Sequence, residues 1–161
     1  MSAQLDMLPR YRRMTAADLN AVTAIEESVY PHPWTLGNFG DSLAAGYHCW
    51  IVECGGEISG YTVVMIAAGE AHLLNLSVGS AWQRRGLGRE LLAFVLKLAR
   101  DYGAQRIFLE VRPSNTAARS LYAAAGFAEI GVRCGYYPAG AEREDAVVMA
   151  LDLSRSVTSD R

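Results

Sequence analysis

The chain of 161 residues is poor in cysteine and holds only three histidines. Cys49, Cys54 and Cys134 are odd in number and unrelated in spacing, which argues against a disulfide framework and fits buried thiols in a reducing compartment. His32, His48 and His72 stand at no ligand spacing from one another or from the cysteines, so no metal site is expected and they read as surface or core residues. Long apolar runs are missing too: Leu91 to Leu98 is broken by Lys97 and falls far short of the roughly 20 residues of a membrane span. Behind Arg10, Arg12 and Arg13 comes no apolar stretch, so a secretory signal is not expected and the cytoplasm is the expected location. Fifteen basic side chains face seventeen acidic ones, for a net charge of -2, which leaves no overall excess to draw the chain onto nucleic acid.

Two familiar phosphate loops are also missing. There is no Gly-Lys-Ser/Thr triplet, and Leu91 stands where a dinucleotide fingerprint needs its third glycine, so nucleoside triphosphates and NAD are disfavoured. No Gly-x-Ser-x-Gly surrounds Ser77 or Ser80, which excludes them as elbow-type nucleophiles.

What is present is ample core material, 51 % apolar residues, in a length that fits one domain over 1–153 with a polar tail over 154–161. Thr15 and Asp18 resemble a capping box, after which Leu19, Val22, Ile25 and Val29 recur at helical spacing until Pro31 and Pro33. Thr35 caps a second helix with Leu36, Phe39 and Leu43. Tyr47 to Cys54 and Glu57 to Ile66 read as an antiparallel pair joined at Gly55-Gly56, followed by a strand over Glu70 to Val78 in which Leu74, Leu76 and Val78 alternate with His72, Asn75 and Ser77 less cleanly than a one-sided sheet demands, a pattern that suits a strand covered on both faces. A strongly amphipathic helix carries Leu91, Val95, Leu98 and Tyr102 on one ridge; then come a strand Arg106 to Val111, a helix Thr116 to Ala125, and strands Phe127 to Arg133 and Ala146 to Leu153. This order predicts an α/β (α+β) fold with a mixed, mostly antiparallel sheet of six to seven strands and about four helices.

The segment richest in chemistry is Gln83-Arg84-Arg85-Gly86-Leu87-Gly88, between a strand and that amphipathic helix. A helix start offers unpaired N–H groups and the positive end of the macrodipole, Gly86 and Gly88 keep a Cβ out of the way, and Arg84, Arg85 and Arg89 add charge suited to a phosphate. A plain strand-to-helix turn with a solvated arginine rim explains the same residues equally well.

The motif resembles the acetyl-coenzyme A loop of the GNAT superfamily of N-acetyltransferases. Leu109-Glu110-Val111-Arg112-Pro113-Ser114-Asn115, Leu121-Tyr122, Gly126-Phe127 and Tyr136-Tyr137-Pro138 are similar to its ribosomal-protein-alanine N-acetyltransferase branch, and the likeness runs from about Met14 to Leu153. The resemblance implies the GNAT fold, acetyl-coenzyme A as co-substrate without a metal, and a protein N-terminus as acceptor, by expectation an alanine-starting small-subunit ribosomal protein. Direct transfer in a ternary complex is expected, since no acyl-accepting cysteine is apparent: Cys134 has no activating base near it in sequence. A monomer is expected, with neither nucleic acid nor membrane as partner.

It further implies roles for single residues. Glu110 is the general base, although an acid in a strand of Ile107, Phe108, Leu109 and Val111 also suits an ion pair with Arg112 or another arginine. Tyr122 is the acid that protonates the coenzyme sulfur, against a plain core reading of its helical spacing. The coenzyme contacts are the main chain of Leu76, Ser77 and Val78, the loop Arg84, Arg85, Gly86, Leu87, Gly88 and Arg89, and Asn115, for which a helix N-cap is an equally sufficient role. Tyr30, Trp34 and Tyr137 flank the acceptor, or close the core. An α-amine is a fitting acceptor because its reference pKa of about 8, against about 10.4 for lysine, raises the neutral fraction at pH 7 by roughly two orders of magnitude. The rival expectations are a GNAT enzyme acting on lysine, a polyamine or another small amine, and a non-catalytic acyl-coenzyme A binding module.

Overall fold

The computed structural model describes residues 8–139 and 142–154. Strands β1 (Arg10–Arg13), β2 (His48–Cys54), β3 (Glu57–Ala67), β4 (Glu70–Val78), β5 (Arg106–Val111), β6 (Ala128–Ala139) and β7 (Glu142–Asp152) form one sheet in the order β1-β2-β3-β4-β5-β7-β6. Among the described residues four α-helices accompany them: α1 (Leu19–Val29), α2 (Leu36–Ala44), α3 (Leu87–Asp101) and α4 (Thr116–Ala124). The expected fold class stands. The pairs β1–β2, β2–β3, β5–β7 and β6–β7 are antiparallel and β4–β5 is parallel. The register of β4 with β5 covers Glu70↔Arg106 to His72↔Phe108.

The described residues form two compact units, one from 8–65 with 75–95 and one from 66–74 with 96–139 and 142–154. In the first unit Val52, Cys54, Leu87 and Leu91 form a buried cluster, against which Tyr11, Leu76, Val78, Trp82 and Phe94 pack. Leu91 and Leu92, with Val95 one turn on, give α3 the continuous apolar stripe that its spacing predicts. In the second unit β5 buries Ile107, Leu109 and Val111 and turns Phe108 and Glu110 to the other face. Of the polar tail expected over 154–161, residues 155–161 lie outside the described residues; Ser154 is described, and its N–H donates to Asp152.

At three places the structure corrects or refines these expectations. β1 was not legible in Arg10-Tyr11-Arg12-Arg13, because the strand is held by main-chain pairing with β2 and by Tyr11 stacking on Phe94 at 4.2 Å, neither of which leaves an apolar alternation. In β4 the fully buried side chains are Ala71, Leu73, Asn75 and Ser77, so the more deeply buried face is the partly polar one, while half-buried Leu76 and Val78 pack from the other face against the buried cluster. The last two strands are longer than expected, and Tyr136, Tyr137 and Pro138, which lie beyond the expected end of the first of them at Arg133, belong to β6. There Gly135, at φ 62°, sits in an irregularity between Arg133↔Ala146 and Tyr137↔Glu144, with its N–H donating to Asp145 at 2.8 Å. Gly135 marks a bulge, and reading it as a strand end shortens the pair.

Candidate active site

The loop after β4 begins with a single 3₁₀ turn, Ser80–Trp82, and the Gln83 amide donates to the Val78 carbonyl at 3.0 Å. Arg84 adopts φ 64° and Gly86 φ 82°, two left-handed residues that bend the chain into the start of α3. A Cβ built on Gly86 meets nothing within 4 Å, so the space above this turn is open. The first N–H groups of α3 have no intrahelical acceptor. Arg84, Arg85 and Arg89 are exposed, with Arg85 lying over the Trp82 ring at 5.3 Å. Leu87 contributes its side chain to the buried cluster, which leaves only its main chain for a ligand. An open cradle of amides with three arginines fits a polyanionic group such as a pyrophosphate.

The next group lies on α1, the loop after it, β3 and β4. Glu26 is 3 % exposed; its carboxylate accepts from the Tyr61 hydroxyl at 2.8 Å, the Trp34 main-chain N–H at 3.0 Å and the Asn75 amide at 3.4 and 3.5 Å. Ser77 donates to Asn75 Oδ1 at 2.6 Å and shares a 2.9 Å hydrogen bond with the Tyr30 hydroxyl, which also reaches the Leu76 carbonyl at 3.5 Å. Tyr30 and Ser77 are therefore joined by this network, and burial, reinforced by the Glu26 charge and opposed by the Ser77 hydrogen bond, raises the Tyr30 phenol above its ordinary value. The Trp34 ring lies 5.1 Å from Phe39. Glu26 went unnoticed because the helical pattern around it is satisfied by apolar residues alone.

Glu110, on β5, has a side chain only 6 % exposed. Its Oε1 lies 2.6 Å from His72 Nε2 and its Oε2 3.3 Å from Arg133 Nη1. Arg112 instead pairs with Glu144 at 3.0 Å, so of the two ion-pair partners considered from sequence, it is another arginine that meets Glu110. Burial acts to raise the Glu110 carboxyl, but the hydrogen bond and charge of His72, with Arg133, outweigh it and hold the group below its ordinary value. His72 and Arg133 were missed because their proximity to Glu110 depends on strand register, which carries no local sequence signal. Tyr137 lies under the Arg112 guanidinium at 4.4 Å, and Arg133 covers Tyr136 at 4.3 Å.

Tyr122 is 8 % exposed on α4, its ring 5.6 Å from Phe127. Asn115 caps that helix by accepting the Ala118 N–H at 3.1 Å. Among the described residues no group of three or more His, Cys, Asp or Glu is placed to hold a metal ion, and no helix is long and apolar enough to cross a membrane.

Comparison with known proteins bears on this arrangement. The [ribosomal protein bS18]-alanine N-acetyltransferase of Escherichia coli K12 is 35 % identical over 141 residues, 88 % of this chain and 95 % of that protein. Its counterpart in Haemophilus influenzae is 33 % identical over 143 residues, covering 88 % and 97 %. The crystal structure of the E. coli ribosomal-protein-S18-alanine N-acetyltransferase superposes with a TM-score of 0.85 at 32 % identity, covering 94 % of this chain and 98 % of that one. A Salmonella typhimurium protein solved with its cofactor acetyl-CoA shares the fold at a TM-score of 0.75 and 21 % identity, covering 94 % and 98 %. Residues 19–127, from the first turn of α1 through the phosphate-type loop to the end of the α4 segment, match the acetyltransferase (GNAT) family, and with relatives of this identity over nearly the whole length the chain belongs to that family.

Proposed function

We propose that the protein transfers the acetyl group of acetyl-coenzyme A to the N-terminal α-amine of a protein, with an alanine-starting small-subunit ribosomal protein as acceptor. The observation that carries this reading is the 35 % identity to an alanine N-acetyltransferase across 95 % of that enzyme's length. Bound coenzyme would supply an activated thioester; the rest of the chemistry falls to this chain. The amides of Gly86, Leu87 and Gly88, with Arg84, Arg85 and Arg89, would hold the pyrophosphate, the main chain of Leu76, Ser77 and Val78 would receive the pantetheine arm, and the Val78 N–H would serve as the oxyanion donor. Asn115 contacts the coenzyme while capping α4. Glu110 accepts the amine proton and Tyr122 donates one to the leaving sulfur. Tyr30, Trp34 and Tyr137 border the acceptor, Tyr30 through its hydroxyl rather than as an exposed clasp. The whole of 1–153 acts as a single domain, as a monomer in the cytoplasm, without nucleic acid, membrane or metal.

The test is incubation with labelled acetyl-coenzyme A and peptides varied in their first residue, alongside the same peptides with blocked N-termini. Label on free alanine N-termini is the expected result. Label on lysine of blocked peptides would replace the acceptor class, and tight coenzyme binding without any transfer would leave a binding module. Tyr122→Phe is expected to lower kcat by about 10²-fold with coenzyme affinity unchanged, measured by steady-state kinetics and calorimetry.

A further inference from the structure

Glu144 has no part in the chemistry described so far, yet its one carboxylate collects three donors. Its Oε1 accepts from Arg112 Nη1 at 3.0 Å and from the Ser114 hydroxyl at 3.3 Å, and its Oε2 accepts from the Ser114 main-chain N–H at 3.2 Å. On β7 it stands opposite Tyr137 of β6 in the strand register. The Arg112 guanidinium in turn lies 4.4 Å from the centre of the Tyr137 ring. Carboxylate, guanidinium and ring thus form a closed circuit that joins the residue after β5 to both strands of the β6–β7 pair.

A guanidinium is flat, with its donors along the edge and a weakly hydrated face. Glu144 takes the edge of Arg112, which leaves the face for the Tyr137 ring. The ring is supported from a second direction by Tyr136, 4.8 Å away and nearly perpendicular at 78°. The Arg112 and Glu144 side chains are 22 % and 24 % exposed, so water still reaches the pair. An ion pair that water reaches adds little to stability, and the consequence of this one is where it puts the guanidinium.

We propose that Glu144 is a positioning residue for the acceptor: by holding Arg112 flat against Tyr137 it fixes the wall that Tyr137 gives the acceptor site. This rests on the N-terminal acetyltransferase reading given above, in which Tyr137 borders the acceptor. Glu144 itself touches no substrate and acts through Arg112. The competing role for the same carboxylate is to tie down Ser114 ahead of α4. That stretch has supports of its own. The Asn115 N–H donates to the Arg112 carbonyl at 3.0 Å, and the Asn115 side chain caps α4. Arg119 donates through Nη1 to the Pro113 carbonyl at 3.1 Å and through Nη2 to Glu129 of β6 at 2.7 Å. Loss of Glu144 therefore leaves Asn115 and Tyr122 on a segment still held at neighbouring residues, and the effect falls on the acceptor rather than on the coenzyme.

The experiment measures KM and kcat for an alanine-starting peptide at saturating acetyl-coenzyme A, with the Kd of acetyl-coenzyme A from calorimetry. It compares wild type with Glu144→Ala, Arg112→Lys, Ser114→Ala and Tyr137→Leu, and with Tyr137→Leu combined in turn with the first two. Glu144→Ala is expected to raise the acceptor KM about tenfold, with kcat and the coenzyme Kd within about twofold of wild type. Lysine at 112 keeps a charge for Glu144 but has no flat face, so Arg112→Lys is expected to raise the acceptor KM by a similar factor. Ser114→Ala leaves Arg112 on Tyr137 and is expected to stay within about twofold. On the Tyr137→Leu background, Glu144→Ala and Arg112→Lys are each expected to add less than about twofold, because all three act through one ring. An acceptor KM unmoved in Glu144→Ala or in Arg112→Lys overturns the proposal, as do effects that simply multiply with that of Tyr137→Leu. A coenzyme Kd weakened as much as the acceptor KM, or a Ser114→Ala enzyme as impaired as Glu144→Ala, overturns it in favour of the tie to Ser114. Should Glu144→Ala fail to fold, Arg112→Lys alone and with Tyr137→Leu decides. A wild-type enzyme that acetylates no free N-terminus overturns the underlying reading and this proposal with it; the other adverse outcomes, in an enzyme that does acetylate them, overturn the proposal alone.

Discussion

Glu26 is buried with all its side-chain partners on other segments, which constrains its substitution. A carboxylate 3 % exposed costs several kcal/mol of solvation, and here three donors on three different segments compensate: the Tyr61 hydroxyl, the Trp34 N–H and the Asn75 amide. Removing it strands all three. Glu26→Ala is expected to lower the unfolding free energy by about 3–5 kcal/mol in urea titrations, and Glu26→Gln by less, because one oxygen still accepts while the new NH₂ faces a donor. A loss below about 1 kcal/mol for the alanine variant would show the donors to be satisfied by water. The site itself was only half legible in sequence. Glu110 stood out as an acid inside an apolar strand, and the loop arginines by their place before a helix. Glu26 lies one turn from Val22 on the face that α1 buries deepest, while Ile25 and Val29, which the spacing also marked as apolar, are only half-buried. His72 could not be paired with Glu110 before the β4–β5 register was known.

Among the elements, β4 shows how a strand covered on both faces can bury polar side chains. It buries Asn75 and Ser77 because their polar atoms are satisfied by one another and by Glu26 and Tyr30, so the inward face pays no unpaired-dipole cost. Close approach of β3 is part of the same packing. A Cβ on Gly60 would lie 2.8 Å from the Ser77 carbonyl oxygen and 3.1 Å from Val52 Cγ1, and the first contact is main chain, which cannot rotate away. Gly60→Ala is therefore expected to cost about 1–3 kcal/mol in thermal or urea unfolding, the opposite of the usual gain on replacing a strand glycine. A neutral or stabilised variant would mean that β3 and β4 can separate at this point without loss. Nothing local distinguishes Gly60 from a turn glycine; its role comes from a strand that follows after an intervening turn. By contrast β5 and the start of α3 were legible to within a residue or two, since each carries its own periodicity.

For the molecule as a whole, the titration shifts share one sense on each side of neutrality. Asp18 is held low by the Arg12 hydrogen bond, Glu144 by Arg112, Glu110 by His72 and Arg133 against burial, and His48 is lowered by burial and by the Arg13 charge. In each case the unfolded chain takes up its proton at a higher pH than the folded one. Stability is thus full above the ordinary values, near pH 6.5 for His48, and falls as acid carries the solution through the lower folded values. On the alkaline side Cys49 is raised by burial from 9.0 to about 11, and Tyr11 from 10.0 to about 12 by burial and then the Glu90 and Cys54 charges. The unfolded chain now loses protons first, so stability falls again as pH rises. A plateau from about pH 6.5 to 9 follows from these shifts. Cys49, 3 % exposed, gives the sharpest check. Between pH 9 and 11 its thiol contributes a slope of one proton, about 1.4 kcal/mol per pH unit, or about 2–3 kcal/mol over the window. Cys49→Ala removes that slope and, near neutrality, about 1 kcal/mol of packing. The unfolding free energies of the two proteins should therefore converge above pH 9 and cross before pH 11, with the variant the more stable at the alkaline end. Curves that stay parallel across this window would mean that the thiol ionises as readily in the folded protein as in the unfolded chain.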